Sequence, residues 1–129
     1  MRRVITFGTF DLFHYGHLEI LRRAKEIGEY LIVGVSSDSL NFLKKGRCAI
    51  YTQLERMSIV ESIKYVDMVF CEESLELKRQ YCLQYNADIL VMGNDWKGKF
   101  DNFKDICKVV YLERTPSIST TSLIEKIRF

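Results

Sequence analysis

Hydrophobic positions along this chain follow two rhythms. Short, almost unbroken apolar runs alternate with longer stretches in which apolar residues recur every three or four positions. The runs are Val4 to Phe7, closed by Gly8; Tyr30 to Val35; Val66 to Phe70; Ile89 to Met92, closed by Gly93; and Val109 to Leu112. Strands covered by helices on both faces have no polar face, so they read as continuous apolar runs. Of the amphipathic stretches, Tyr15 to Ile27 carries Leu18, Leu21, Ala24 and Ile27 at intervals of three, and Gly28 stops it. Gln53 to Lys64 places Met57, Val60 and Ile63 on one side, and Glu76 to Tyr85 is also read as helical. A last helix is expected to begin within Ser119 to Ser122. There Ser122-Leu123-Ile124-Glu125 fits a capping box, and Leu123, Ile124 and Ile127 supply an apolar face.

Strand and helix alternating in this way predict an α/β fold. The expected architecture is a single Rossmann-like domain over residues 1–129, a doubly wound parallel sheet with helices on both faces. Ligands of such sheets bind beyond the carboxyl ends of the strands, where the strand order reverses. Chemistry is therefore sought just after each apolar run.

Composition narrows the classes. At 129 residues, 47% hydrophobic and 28% charged, the chain has the size and balance of one soluble domain. Nineteen basic against 17 acidic residues leave a net charge of +2. A polyanion binder carries a larger excess, so no nucleic-acid partner is expected and positive charge must act locally. No apolar stretch approaches the roughly 18 residues of a membrane span. The apolar run after Arg2-Arg3 meets Asp11 and His14 too soon for a signal peptide. Cys48, Cys71, Cys82 and Cys107 are widely spaced, which points to reduced thiols and a cytoplasmic location. A zinc site of His14, His17 and two cysteines lacks the paired spacing that zinc sites show, and no metal site is assigned.

Both histidines of the chain lie in Gly8-Thr9-Phe10-Asp11-Leu12-Phe13-His14-Tyr15-Gly16-His17, at the mouth of the first expected helix. A helix N-terminus offers unpaired N–H groups and a positive dipole end, which suit a phosphate. No Ser, Thr, Asp or Asn stands immediately before Tyr15 to cap those groups. Two ordinary surface histidines are the bland alternative. The last strand leads into Arg114-Thr115-Pro116-Ser117-Ile118-Ser119-Thr120-Thr121, an arginine followed by a cluster of hydroxyls. Helix capping alone accounts for any one of those hydroxyls, but not for the whole set with an arginine. Lys44-Lys45-Gly46-Arg47 reads as a basic loop, either simply solvated or a mobile clamp over phosphates. Gly93-Asn94-Asp95-Trp96-Lys97-Gly98-Lys99-Phe100 holds the only tryptophan, as a lid or a small satellite core.

His14-x-Gly16-His17 resembles the nucleotidyltransferase superfamily, and Arg114-Thr115-x-x-Ile118-Ser119-Thr120-Thr121 resembles the second motif of its cytidylyltransferases. With the 93–100 loop, the resemblance spans essentially the whole chain and is strongest to bacterial enzymes acting on glycerol 3-phosphate. It implies transfer of a cytidylyl group from CTP to sn-glycerol 3-phosphate, giving CDP-glycerol and pyrophosphate for a teichoic acid, capsule or other polymer. CTP is then expected on Gly8, Thr9, Phe10, His14, His17, Arg47, Asp95, Arg114, Thr115, Ile118, Ser119, Thr120 and Thr121. The acceptor is expected on Asp11, Lys44, Lys45 and Lys78. His14, His17, Arg114 and a lysine at 44 or 45, with Lys44 favoured, would be catalytic. Two departures stand out: Asn94 replaces a usual acidic residue beside Asp95, and the basic loop is one residue longer, with Arg47 in place of a lysine.

The acceptor oxygen is already ionised in this reaction, so neither a general base nor a covalent enzyme intermediate is needed. Positioning and electrostatic donors should carry catalysis. Mg2+ is expected with the triphosphate, and the resemblance implies a homodimer. Other acceptors (phosphocholine, phosphoethanolamine), a nucleotide-binding regulatory protein and a zinc or redox module are the competing readings.

Overall fold

The computed structural model describes residues 1–113 together with Thr120, Ile124, Lys126 and Ile127. Five strands, β1 (Arg3–Gly8), β2 (Tyr30–Ser36), β3 (Met68–Glu72), β4 (Ile89–Gly93) and β5 (Lys108–Leu112), form one sheet in the order β3-β2-β1-β4-β5. Every pairing is parallel. The chain winds outward from β1 to β3, then crosses back to build β4 and β5 on the other side. The order therefore reverses between β1 and β4, as the α/β reading requires.

The apolar runs are explained by what lies on each face. Val4, Leu31, Val33, Val35, Ile89 and Val91 pack with Leu21 and Ala24 of α1 (Tyr15–Ile27) and Val60 of α3 (Gln53–Glu61). Their neighbours in sequence, Ile5, Phe7, Ile32, Leu90 and Met92, point the other way. They meet Cys82 of α4 (Lys78–Gln84) and Phe103 of a 3₁₀ turn at Asp101–Asp105. Alternate residues of each strand thus enter two separate cores.

Local differences from the expected elements have identifiable causes. An unanticipated helix, α2 (Asp38–Lys45), follows β2. Ser37 caps it by accepting the Leu40 N–H at 3.0 Å, and Gly46 ends it in the left-handed conformation at φ 68°. Lys44 and Lys45 therefore form a last helical turn rather than a loop, leaving Gly46 and Arg47 beyond it. Helix α3 stops at Glu61, short of Lys64, because the Ser62 N–H and hydroxyl both turn back to Ile59. A 3₁₀ turn at Leu75–Leu77 precedes α4, so that helix begins at Lys78 rather than Glu76. Asp67 accepts the Leu31 N–H at 2.8 Å before the β3 ladder starts at Met68, so Val66 lies outside the strand. Trp96 packs on Phe100, and Phe100 on Phe103, which makes the 93–105 segment a small apolar cluster against the sheet. Thr120, Ile124, Lys126 and Ile127 are helical, while the start expected for that helix lies outside the described residues.

Gly34 in interior strand β2 sits in tight packing. A Cβ there would lie 2.7 Å from both Phe7 and Phe70, whose rings meet edge to face at 5.9 Å. Neither ring can withdraw without opening the second core. Gly34→Ala is expected to cost about 1–3 kcal/mol and to lower Tm by about 5 °C or more. An unchanged Tm in a thermal melt would contradict this account of the packing.

Candidate active site

The loop from β1 to α1 is held in a conformation its sequence does not favour. Phe10 and Leu12 have φ of 54° and 47°. Left-handed backbone costs a residue with a Cβ about 1–2 kcal/mol. Tertiary contacts hold it there. The buried Phe10 ring packs on Phe13 and His17. Asp11 accepts the N–H groups of Leu12 at 3.1 Å, Ile50 at 2.7 Å and Tyr51 at 2.9 Å. Asp11, expected to contact the acceptor, is thus a clamp between this loop and the 48–52 segment.

The first turn of α1 is capped after all, by the histidines themselves. His14 is the N-cap residue, and its Nδ1 accepts the Gly16 N–H at 3.0 Å. His17 Nδ1 in turn accepts the His14 N–H at 3.2 Å, completing a capping box, and the two rings stack 3.8 Å apart. An Nδ1 that accepts must leave the ring proton on Nε2. Burial, then the neighbouring His14, pushes the His17 pKa down to about 3, so His17 is neutral at working pH. Both rings line the cleft and present Nε2–H donors of fixed tautomer.

Two residues that sequence reasoning passed over organise the surroundings. Arg56, fully buried on α3, donates to the carbonyls of Tyr51 at 3.0 Å, Thr9 at 2.9 Å and Ser36 at 2.8 Å, and to the Asp38 carboxylate at 2.8 Å. Its one sequence signal is its place four residues before Val60 on the apolar stripe. Asn41, fully buried on α2, accepts the Ser36 hydroxyl at 2.7 Å and the Thr9 hydroxyl at 3.2 Å. Its Nδ2 is buried with no partner among the described residues.

Together these elements enclose a cleft of about 370 Å³ at the strand-order reversal. Gly8, Thr9, Phe10, Asp11, His14 and His17 line it, together with Lys45, Arg47, Asp95 and Thr120. A second chamber of about 450 Å³ adjoins it and is lined by Lys44, Lys45, Glu72 and Lys78. Lys45 thus borders both spaces and Lys44 only the second. Lys78, expected on the acceptor phosphate, is buried and paired with Glu72. Partial desolvation, with like charges nearby, pushes the pKa of Lys44 and of Lys45 down. The Thr120 hydroxyl donates to the Asp11 carbonyl at 2.9 Å, tying the last helix to the first loop. Arg114, Thr115, Ile118, Ser119 and Thr121 lie outside the described residues. No three His, Cys, Asp or Glu side chains converge on a metal position among the described residues. Nor is any helix among them long and apolar enough to cross a membrane.

Residues 5–126 match the family described as cytidylyltransferase-like. The chain is 50% identical over 127 residues to the glycerol-3-phosphate cytidylyltransferase of Bacillus subtilis (strain 168), covering 98% of each. It is 47% identical over 127 residues to the glycerol-3-phosphate cytidylyltransferase of Staphylococcus aureus (strain NCTC 8325 / PS 47), covering 98% of this chain and 96% of that one. The lipopolysaccharide core biosynthesis protein from Thermoplasma volcanium GSS1 superposes with a TM-score of 0.77 at 25% identity, over 89% of this chain and 98% of that chain.

Two expectations follow from the geometry. Unfolded His17 titrates near the ordinary 6.5, whereas folded His17 titrates at about 3. Between those values the unfolded chain binds the extra proton, so stability is lost as pH falls through that window and is unaffected above it. Tm should drop between pH 7 and pH 5, and His17→Gln should flatten that slope. Parallel slopes would refute the assignment. Arg56→Met strands three carbonyls and a carboxylate and should cost about 3–5 kcal/mol in denaturant unfolding, with Arg56→Lys recovering only part. A loss below about 1 kcal/mol would show that the site does not hang on this guanidinium.

Proposed function

The chain belongs to the cytidylyltransferase-like family, and from that premise and the geometry of the cleft we propose that it transfers a cytidylyl group from CTP to sn-glycerol 3-phosphate. One observation carries the reading: two Nε2–H donors of fixed tautomer stand at the N-terminus of α1, inside a cleft at the strand-order reversal. Such a position gathers dipole, N–H groups and imidazole donors around negative charge.

CTP lies along the first loop with its α-phosphate against His14 and His17. The acceptor enters from the adjoining chamber, where Lys44 and Lys78 stand. An ionised oxygen of the acceptor phosphate forms a bond to the α-phosphorus. The bond from that phosphorus to the bridging oxygen breaks on the opposite side, and pyrophosphate leaves with the electron pair. No proton moves in this step, which suits a neutral His17 that donates a hydrogen bond without giving up its proton. The imidazoles gain strength as charge builds on the phosphorus-bound oxygens. Lys45 and Arg47 line the nucleotide cleft and offset the triphosphate charge, and the Arg114–Thr121 segment is assigned to the departing pyrophosphate.

Mg2+ accompanies the nucleotide. The cleft contributes scattered carboxylates such as Asp95 rather than a cage. Those donors fit a cation held chiefly by phosphates and water, which neutralises charge on the leaving group. The reading includes a cytoplasmic location and a homodimer. Exposed Phe42, Leu43, Ile50 and Leu54, grouped along α2, α3 and their connection, supply apolar surface for a second copy.

Pyrophosphate release, measured for four nucleoside triphosphates against glycerol 3-phosphate, phosphocholine and phosphoethanolamine, tests the proposal. CTP with glycerol 3-phosphate should turn over fastest, and preference for another pair would replace the assigned substrates. His14→Ala and His17→Ala should each cut kcat by about 10² or more, as lost transition-state donors do. Activity that falls only in step with the folded fraction would reduce the histidines to a helix cap.

A further inference from the structure

Outside the nucleotide cleft, the most unusual chemistry in the molecule is a dry ion pair. Glu72 ends β3 with 1% exposure and Lys78 begins α4 with 4%. The Lys78 ammonium bonds Glu72 Oε2 and also lies 4.7 Å from the centre of the Phe7 ring. Burying such a pair is a poor route to stability, because the loss of hydration offsets the attraction and an apolar pair of similar volume serves as well. Both residues nonetheless line the chamber that adjoins the nucleotide cleft, together with Thr9, Lys44 and Trp96. Lys44 senses both members of the pair, raised by Glu72 and lowered by Lys78.

We propose that Glu72 is the acceptor-recognition residue of this chamber: it positions Lys78 toward the acceptor phosphate and accepts a hydrogen bond from a hydroxyl of the acceptor alcohol. The inference rests on the transferase reading above and adds the group that reads the alcohol. Ionised carboxylate is an acceptor only, so it repels phosphate oxygens and suits hydroxyl groups. Oε2 is occupied by Lys78, while Oε1 has no hydrogen-bond partner among the described residues. Three ammonium groups (Lys44, Lys45 and Lys78) and two carboxylates (Glu72 and Asp95) leave a single net positive charge, matched to a phosphate monoester with polar, uncharged substituents. Without Glu72 the chamber would leave the Lys78 ammonium unpaired and would lose the carboxylate that stands beside it. A phosphate ester without hydroxyls would leave Oε1 dry and unpaired, and sites of that design reject the analogue strongly.

The test compares glycerol 3-phosphate with propyl phosphate, which keeps the phosphate and loses both hydroxyls. Wild-type protein should favour glycerol 3-phosphate by about 100-fold or more in kcat/KM. In Glu72→Met, whose side chain offers a hydroxyl no comparable partner, that preference should collapse to about tenfold or less, with KM for CTP unchanged. A merely structural role would lower both substrates alike and leave their ratio untouched, and that result overturns the proposal. Should Glu72→Met fail to fold, Glu72→Met/Lys78→Met removes the stranded cation, and the same ratio is read there with the same consequences. Should the wild-type protein transfer cytidylyl to neither ester, the transferase reading fails, and calorimetry with the two esters decides the matter. Tighter binding of glycerol 3-phosphate that disappears in the variant supports Glu72; equal binding in the wild-type protein overturns it.

Discussion

A single guanidinium holds the mouth of the cleft together. Arg56 is withdrawn completely from water and makes its bonds to Thr9, Ser36, Tyr51 and Asp38, which belong to four different segments. Hydration lost by a buried cation is costly, and only near-complete replacement by fixed acceptors makes the burial tolerable. Arginine suits the position because it cannot discharge and its planar fork reaches several carbonyls at once. The ends of β1 and β2 are thereby fixed relative to α2 and α3. On that frame the left-handed turns at Phe10 and Leu12 become affordable, and on those turns the placement of His14 depends.

The histidine pair extends the constraint into chemistry. In an ordinary capping box a hydroxyl and a carboxylate close the first turn of a helix. Here imidazoles do both jobs through Nδ1. Each cap bond also dictates the tautomer, so local folding and the presentation of Nε2–H toward the cleft are one event. Burial, then neighbouring His14 and Lys45, keep His17 uncharged. That fits a displacement whose nucleophile is already an anion: what it lacks is positioned donors, and a neutral imidazole supplies one without competing for the proton.

How much of this could be read from the sequence depended on the range of the interactions. The strands and α1 were legible because burial on both faces leaves a continuous local signature, and α1 runs from Tyr15 to Ile27 as the periodicity required. Gly8 to His17 was legible because its residues act within one loop and one helical turn. Helix α2 was hidden beneath its own charges: Ser37 and Gly46 bracketed it, but Lys44, Lys45 and Arg47 dominated the reading. Asp11 carries a second role that the sequence left unread. It lines the cleft, and its carboxylate also accepts backbone N–H groups of Ile50 and Tyr51, far along the chain. Arg56 and Asn41 gave almost no signal, since what distinguishes them is burial against residues that only the tertiary fold brings near.

A net charge of only +2 would seem unpromising for a site that must assemble two polyanions. The structure resolves this by placement. Lys44 and Lys45 crowd the last turn of α2, where the carbonyl end of the helix favours cations. Partial desolvation depresses both pKa values, helped by Lys78 and Lys45 at Lys44 and by Arg47 at Lys45, so gathering these cations costs free energy in the empty protein. At the same cleft, the N-terminus of α1 presents the opposite end of a helix dipole, with the two imidazoles as its caps. An incoming triphosphate is therefore met by donors from one helix end and by cations whose repulsion it relieves from another. Glu72 offsets part of the positive charge in the adjoining chamber by pairing with Lys78. Binding strength then comes from where the cations stand, and the rest of the surface can remain nearly neutral.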